Sequence, residues 1–223
     1  MRITRLVAGT VTAGLLGLAP IAVAAPSHAT DNLTTTTAAT PSETQLEYGD
    51  DLYVSVDVDA SDGYSAFKGT STLYAMEAGS TTWAPVATGT SASSSFYDVK
   101  PLATTTYKVV YSGYAATTTS DDNYAASESA PFTVSVARKI TYPSRGFVIK
   151  GKVTPEYGKK KIVIQVSKKQ NKGFKKFKTI KTKANGKYKV TLPKRGGTWY
   201  WSFTVKADSR FAANGFVWKT TVF

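Results

Sequence analysis

The sequence contains no cysteine and a single histidine, and these two shortages exclude most kinds of catalytic and metal site. Without a thiol there are no disulfides, no thiolate nucleophiles and no Cys-ligated zinc. The one imidazole, His28, falls in an N-terminal segment that we expect to be removed. The remaining chain then has no imidazole for a Ser-His-Asp triad, a proton shuttle or a metal ligand. A carboxylate pair or a lysine-based site stays chemically open, but neither has a supporting motif. We therefore expect no enzyme activity and no cofactor.

Residues 1–29 have the layout of a secretory signal peptide. Arg2 and Arg5 form a short basic region, and an apolar stretch interrupted by glycines follows it. Small residues then offer cleavage after Ala29 or after Ala24. The apolar stretch is short and glycine-broken for a retained membrane helix, and no second apolar run of membrane length follows. We expect a secreted, extracellular protein without a transmembrane anchor, either released or held at a cell wall by non-covalent contacts.

Charge is distributed very unevenly along the rest of the chain. Residues 30–137 hold 13 acids and three bases, whereas residues 138–223 hold two acids and 23 bases, giving formal charges of −10 and +21. A step of this size indicates a domain boundary. We predict a signal peptide over residues 1–29, a flexible Thr/Ala-rich spacer over 30–43, an acidic domain over 44–137, a linker over 138–144 and a basic domain over 145–223.

Both domains show the period-two alternation of β-strands, and neither shows a helical stripe. Apolar and polar residues alternate over residues 52–58 and 107–111 in the acidic domain, and over 147–153 and 199–206 in the basic domain. Phe177 and Ile180 break the alternation and can share a face only across a β-bulge. Each domain offers roughly six or seven short strands, as in an immunoglobulin-like sandwich. We predict an all-β protein of two tandem immunoglobulin-like β-sandwiches.

Several motifs stand out in both halves of the chain. In the first half, Tyr48-Gly49-Asp50-Asp51-Leu52-Tyr53 and Thr106-Tyr107-Lys108-Val109-Val110-Tyr111 resemble an immunoglobulin-like repeat domain of secreted bacterial proteins. The second half is similar to another such module from Gram-positive bacteria, through Gly151-Lys152-Val153-Thr154-Pro155 and Ala184-Asn185-Gly186-Lys187-Tyr188. The resemblance implies a corner tyrosine at Tyr107 whose hydroxyl bonds back to the chain. It also implies a role as a stalk, spacer, adhesive or carbohydrate-binding accessory, and it names no ligand.

The lysine-rich surface of the basic domain is the main candidate site. Strand alternation directs six lysines outward: Lys150, Lys152, Lys161, Lys187, Lys189 and Lys206. Clustered cations attract polyanions and release counterions on binding, so the candidate partner is an anionic cell-wall or extracellular polymer. The alternative is that outward lysines maintain solubility and keep edge strands from pairing. Lysines make up 19 of the 23 bases, which favours diffuse attraction over the bidentate recognition typical of arginine.

Exposed aromatic residues are candidates for stacking on bases or sugars. Trp199 and Trp201 share a face with other apolar residues and are expected in the core. Tyr200 points the other way, and with Tyr142 or Phe174 it is expected to form a shallow platform. Tyr114 and Tyr124 flank a Thr/Ser/Asp-rich loop at one end of the acidic domain, where sandwiches carry binding sites.

Two further hypotheses concern the acids. The alternation Asp57-Val58-Asp59 followed by Asp62 allows a calcium site, although Lys68 stands where an EF-hand would have its closing glutamate. We therefore predict no metal site and leave calcium as an alternative. The opposite charges of the domains also predict mutual attraction, within one chain or head-to-tail between molecules. A structural or adhesive protein that acts through protein contacts or self-association is thus the main alternative to polymer binding, and a carbohydrate-binding accessory is the second.

Overall fold

The computed structural model describes residues 30–143 and 145–223, and the predicted signal peptide lies outside this range. Within the described residues the protein is all-β, with 18 strands and no helix, and its fold is immunoglobulin-like. The strands of the acidic sandwich are β1 (Asn32–Leu33), β2 (Thr35–Pro41), β3 (Gln45–Glu47), β4 (Leu52–Ala60), β5 (Ser71–Glu77), β6 (Ala84–Thr88), β7 (Phe96–Val99), β8 (Thr105–Tyr111), β9 (Asn123–Tyr124), β10 (Ser127–Glu128) and β11 (Phe132–Ala137). The strands of the basic sandwich are β12 (Lys139–Ile140), β13 (Val148–Thr154), β14 (Lys161–Ser167), β15 (Lys175–Lys181), β16 (Lys187–Thr191), β17 (Gly197–Val205) and β18 (Asn214–Val222).

The acidic sandwich packs a three-stranded sheet, β2-β4-β7, against a larger sheet in the order β3-β11-β8-β5-β6, with β10 also paired to β8. Alternate residues of β4 and β8 point into one apolar core, including Leu52, Val54 and Val109. The alternation predicted for these two strands is thus confirmed. The hydroxyl that bonds back to the backbone belongs to Tyr111, which donates to the carbonyl of Lys68 over 2.7 Å, and the expectation placed it instead at Tyr107.

The segment predicted to be a flexible spacer is instead strand β2, and that prediction was wrong. All seven residues of β2 are in antiparallel register with β4, from Thr35 opposite Ala60 to Pro41 opposite Val54. The hydroxyls of Thr35 and Thr37 each lie 2.7 Å from Ser127 Oγ, which ties β2 to the second sheet as well. Threonine is β-branched and fits a half-buried strand, so a composition typical of a linker here forms a paired strand.

The basic sandwich packs sheet β12-β13-β16 against sheet β15-β14-β17-β18. Its core holds Trp201, Phe203 and Ile164 from the larger sheet and Ile149 from the smaller one, all essentially inaccessible to solvent. The predicted β-bulge is confirmed, since the partners of β14 pass from Lys178 to Lys176 and leave Phe177 as the extra residue. Phe177 and Ile180 therefore both pack against the core.

The two sandwiches are joined directly and lie in contact. Only Arg138 separates β11 from β12, so residues 139 and 140 of the predicted linker form a strand. Phe211 inserts between Ala103 and Val136 of the acidic sandwich. Backbone hydrogen bonds cross the junction from Thr104 N to Arg210 O over 2.9 Å, and from Ala212 N to Val136 O over 2.8 Å.

Arginine side chains supply the charge contacts at this junction. Arg138 is buried, lies over the ring of Phe211 at 4.1 Å and pairs with Asp208 at 2.8 Å. Arg210 pairs with Glu77 of the acidic sandwich and lies 3.7 Å from Glu156. Arg210 thus makes the ionic contact between the two sandwiches, Arg138 pairs with an acid of the basic sandwich, and no lysine of the basic sandwich forms an ion pair within the described residues.

Candidate anion-binding surface

Four of the six predicted lysines form a compact group on the outer face of the three-stranded sheet of the basic sandwich. Lys150 lies directly opposite Lys189 across β13 and β16, and Lys152 lies directly opposite Lys187. All four side chains are exposed. We call this group the lysine tetrad.

The hydrogen-bond pattern of β13 and β16 brings the tetrad side chains close together. Backbone bonds from Leu192 N to Phe147 O and from Val153 N to Gly186 O mark the hydrogen-bonded positions of this ladder. Both lysine pairs therefore occupy the alternate, non-hydrogen-bonded positions, where facing Cα atoms are only about 4.5 Å apart. Like charges placed directly opposite each other destabilise a sheet. The tetrad is thus a site of positive charge that the fold retains at a cost to stability.

The tetrad borders a depression of about 400 Å³. Its remaining lining residues are Thr141, Gly151, Lys183 and Tyr188. The Tyr188 hydroxyl donates to the carbonyl of Thr141 over 2.8 Å. Burial, and then the neighbouring Tyr142, raises the pKa of Tyr188, so this phenol stays neutral. The charge of the depression therefore comes from lysine alone.

In the part of the chain that the structure describes, no carboxylate pairs with these lysines. The basic sandwich has two acids, Glu156 and Asp208, and both lie beside arginines at the junction. Burial raises the pKa of Asp208, but the backbone N–H of Arg210 and then the Arg138 guanidinium lower it by more, so this carboxylate stays ionised and occupied. The tetrad ammonium groups are left to solvent or to a ligand.

The other two predicted lysines lie on the opposite sheet. Lys161 faces Lys181 across β14 and β15, and Lys206 directly follows Val205, whose partner is Ile162. Lys161, Lys181 and Lys206 border two further depressions, of about 400 and 670 Å³. The structure therefore divides the six predicted lysines between two outer faces. Sequence reasoning did not single out Lys181 or Lys183, although both continue the outward alternation around a turn.

Two of the three candidate stacking residues are not available as platforms. Tyr124 is buried and burial raises its pKa, so its predicted stacking role was wrong. Tyr114 is half-buried, donates its hydroxyl to Asp121 Oδ2 over 3.1 Å, and has Lys68 Nζ above its ring at 5.8 Å. The two tyrosines bridge each other through their backbones, which turns both rings toward the core of the acidic sandwich.

Tyr200 is on the predicted outer face, between Ser167 and Lys219, and is half-buried there. Tyr142 does not join it. Instead, Tyr142 stacks on Phe216 with ring centroids 4.1 Å apart, and Phe216 in turn stacks on the core residue Phe203. Tyr200 therefore lacks this expected aromatic partner.

The sequence analysis missed an outward-facing aromatic pair, the half-buried Tyr53 and the exposed Tyr97, on the outer face of β4 and β7. The ring centroids are 4.8 Å apart, and Tyr97 is 71% exposed. The Tyr53 hydroxyl donates to Ser95 Oγ over 3.2 Å. The available signal was the strand alternation itself, which turns Tyr53 outward between the buried residues Leu52 and Val54.

The acids proposed as an alternative calcium site are spread along the outer face of β4. Asp57 and Asp59 are exposed, and Asp59 Oδ1 accepts a hydrogen bond from Ser65 Oγ over 3.4 Å. Over residues 30–143 and 145–223 no group of three or more His, Cys, Asp or Glu is arranged to hold a metal ion. In the same ranges, no helix is long and apolar enough to cross a membrane.

The known proteins that resemble this chain do so only distantly. No family model matches it, and no curated protein matches it. Among solved structures, the FN1–FN3 domains of chicken CNTN1 are 12% identical, with 84% of this chain and 65% of that chain covered and a TM-score of 0.30. This chain thus spans just under two thirds of the chicken chain.

Two other solved structures are similarly distant. Native alpha-2-macroglobulin from Escherichia coli, spanning domains NIE to MG1, is 12% identical, with 81% and 96% covered and a TM-score of 0.25. The human OSCAR ligand-binding domain is 9% identical, with 85% and 98% covered and a TM-score of 0.23. Because all these TM-scores are low, the fold assignment rests on the strand order described above, and none of these proteins' functions is transferred.

Proposed function

We propose that this protein is a secreted, non-catalytic binding module that adsorbs through the lysine tetrad to anionic polymers of a cell surface or matrix. The observation that carries the proposal is the two pairs of directly opposed lysines on β13 and β16, none of which has a carboxylate partner among the described residues. Such an arrangement costs folding stability, because the like charges repel across the strands. A polyanion laid over the tetrad would relieve that repulsion and release its own counterions.

The contact between the sandwiches supports the proposal because it leaves the tetrad free. The acidic sandwich carries a formal charge of −10 and could have covered a lysine face. Its ionic contact with the basic sandwich instead uses Arg210 and Glu77. The strongest electrostatic partner within the chain therefore does not compete for the tetrad. Lysine acts as a mobile point charge, so we expect attraction to many polyanions and little discrimination of sequence.

The test is the affinity of the protein for fluorescently labelled linear polyphosphate, measured by anisotropy from about 50 to about 500 mM salt. The test variant carries Lys150→Gln, Lys152→Gln, Lys187→Gln and Lys189→Gln. Its matched control carries Lys169→Gln, Lys172→Gln, Lys175→Gln and Lys194→Gln, which remove the same charge from exposed positions elsewhere on the basic sandwich.

We expect tight, strongly salt-dependent binding by the wild type. Neutralising up to four phosphate contacts should lower the slope of log K against log salt by roughly three units in the tetrad variant, and by much less in the control. Equal losses in the two variants would show that net charge, and not this surface, drives adsorption. Absence of binding at low salt would refute the proposal and favour the adhesive alternative, in which the opposite charges act between molecules.

The Tyr53–Tyr97 pair favours a second candidate function, which is attachment to a neutral saccharide. Exposed tyrosine rings stack on the apolar faces of sugars, and Ser55 and Thr40 beside Tyr53 add hydroxyl groups. Affinity electrophoresis in gels containing soluble glucans tests this, with Tyr97→Ala as the variant and the exposed Tyr64→Ala as the control. Retardation that is insensitive to salt and lost only in Tyr97→Ala would support it, and mobility unchanged by every glucan would exclude it.

A further inference from the structure

The lysine tetrad and the lysines of the opposite sheet are connected by a short segment between β15 and β16. Lys183 borders the tetrad depression, and Lys181 borders both depressions on the other face. Only Thr182 separates these two lysines in the chain. Both lysines are exposed, so cationic side chains are present on each side of the turn.

Hydrogen bonds hold this connecting segment in place. Thr182 is buried, its N–H donates to the carbonyl of Lys160 over 2.9 Å, and its hydroxyl donates to the carbonyl of Tyr157. Lys183 N donates to Lys187 O over 2.8 Å, which closes the turn into β16. Because the backbone is fixed on both sides of Thr182, the positions from which the two lysines project are fixed too.

The lysines therefore form one continuous surface that passes around an edge of the basic sandwich. β16 is the edge strand of the smaller sheet, and β15 is the edge strand of the larger one. We call this surface the cationic track, and it consists of the tetrad followed by Lys183, Lys181, Lys161 and Lys206. Among the described residues that line these depressions, the one carboxylate is that of Asp208, which is paired with Arg138.

We infer that the ligand of the cationic track is a flexible, single-chain polymer of phosphate groups that bends around this edge. The inference rests on the proposed function and adds the length and flexibility that the ligand must have. A chain confined to the face of the smaller sheet could meet the tetrad and Lys183, whereas a chain that turns the edge reaches all eight lysines. Duplex DNA has a persistence length of about 150 bp and cannot follow so tight a turn.

Chain length tests the inference most sharply. The variant carries Lys161→Gln, Lys181→Gln and Lys206→Gln, and its control carries Lys169→Gln, Lys172→Gln and Lys175→Gln. Binding of tripolyphosphate and of a long linear polyphosphate is measured at low salt by calorimetry. We expect the variant to lose at least about tenfold in affinity for the long chain, while its affinity for tripolyphosphate, which occupies only the tetrad, stays unchanged. The control should retain affinity for both.

Two outcomes would overturn the inference while leaving the proposed function intact. The first is an unchanged affinity of the variant for long polyphosphate, and the second is an equal loss for the short and the long chain. In contrast, a tetrad variant that binds polyphosphate as tightly as its matched four-lysine control would remove the proposed function itself.

A second comparison tests flexibility, using single-stranded and duplex DNA with the same number of phosphates. Tighter binding of the single strand, abolished by the three substitutions, supports a ligand that bends. Tighter or equal binding of the duplex, with no effect of the substitutions, contradicts it. Polyphosphate and single-stranded DNA together separate recognition of the phosphate chain from recognition of nucleobases, because only DNA supplies bases.

Discussion

The two sandwiches share a fold and differ in how they treat charge. In the acidic sandwich, two of the three bases are paired with carboxylates, Lys100 with Asp51 at 3.2 Å and Lys108 with Glu128 at 2.7 Å. In the basic sandwich, the described ion pairs involve only arginine, and the lysines have no carboxylate partners. An immunoglobulin-like sandwich therefore does not require an unpaired lysine surface. The unpaired lysine surface is specific to the basic sandwich. We therefore attribute it to a ligand that binds this surface, and not to the fold.

Substitutions in the hydrophobic core are expected to have the largest effect on the free energy of unfolding. Trp201 is fully buried in the basic sandwich and donates its indole N–H to Thr220 Oγ1 over 2.9 Å. We expect Trp201→Ala to destabilise the protein by about 3–5 kcal/mol, because it leaves a large cavity and an unpaired hydroxyl. Urea unfolding measures this, and the half-buried Trp199→Ala is the control, with a smaller loss. Equal losses at the two positions would contradict the assigned core.

A substitution at the junction between the sandwiches is expected to have the next largest effect on stability. Arg138→Met removes the ion pair with Asp208 and the contacts of the guanidinium with Phe211 and Tyr157. Because Asp208 remains partly exposed, we expect a loss of about 2–3 kcal/mol, less than for breaking a fully buried pair. The exposed neighbour Lys139→Met is the control in the same denaturation experiment. An Arg138→Met protein as stable as the control would show that these guanidinium contacts contribute nothing to the stability of the fold.

The pH dependence of stability tests the same ion pair, Arg138–Asp208, in a second way. Hydrogen bonds and the Arg138 charge outweigh burial and lower the pKa of Asp208 below its ordinary value of 3.8. The stabilisation from this lowered pKa is complete above the unfolded-state value, and is lost as pH falls through the folded-state value. The melting temperature of the wild type should therefore fall more between about pH 5 and about pH 2 than that of Asp208→Asn. Parallel curves for the two proteins would refute the assignment.

The lysine tetrad gives the smallest effect on stability, and one of opposite sign. Replacing all four lysines by Gln removes two repelling pairs, so we expect stability at low salt to rise by about 0.2–1 kcal/mol per pair. The gain should disappear at high salt, where exposed charges are screened. Thermal melts at two salt concentrations check this. A destabilised variant would mean that the tetrad contributes contacts the structure does not show.

The sequence was sufficient to predict the features of the fold that depend on the alternation of apolar and polar residues along a strand. It predicted the buried faces of β4 and β8 and the bulge at Phe177, because a period of two fixes which side chains share a face. It misassigned β2 because threonine-rich composition is common to linkers and strands, and only pairing with a distant strand distinguishes them.

The candidate site could be predicted only in part, since alternation shows that a side chain points outward but not from which sheet. Lys150 and Lys161 were therefore expected together, although they lie on different faces. Burial of Tyr124 depends on how the loop before β9 folds over the core, which local sequence does not determine. The contribution of Lys183 likewise depends on the contact between a turn and a neighbouring strand.

The most direct test of the account is to locate the bound polyanion by ¹H–¹⁵N NMR titration of the protein with linear polyphosphate. The account predicts that amide signals of β13, β16 and the turn containing Lys183 shift first and saturate together, while those of β1–β11 stay in place. Shifts concentrated in the lysine-rich turn between β14 and β15, or spread evenly over every exposed lysine, would contradict it, because they would show that net charge and not the opposed lysine pairs selects the ligand.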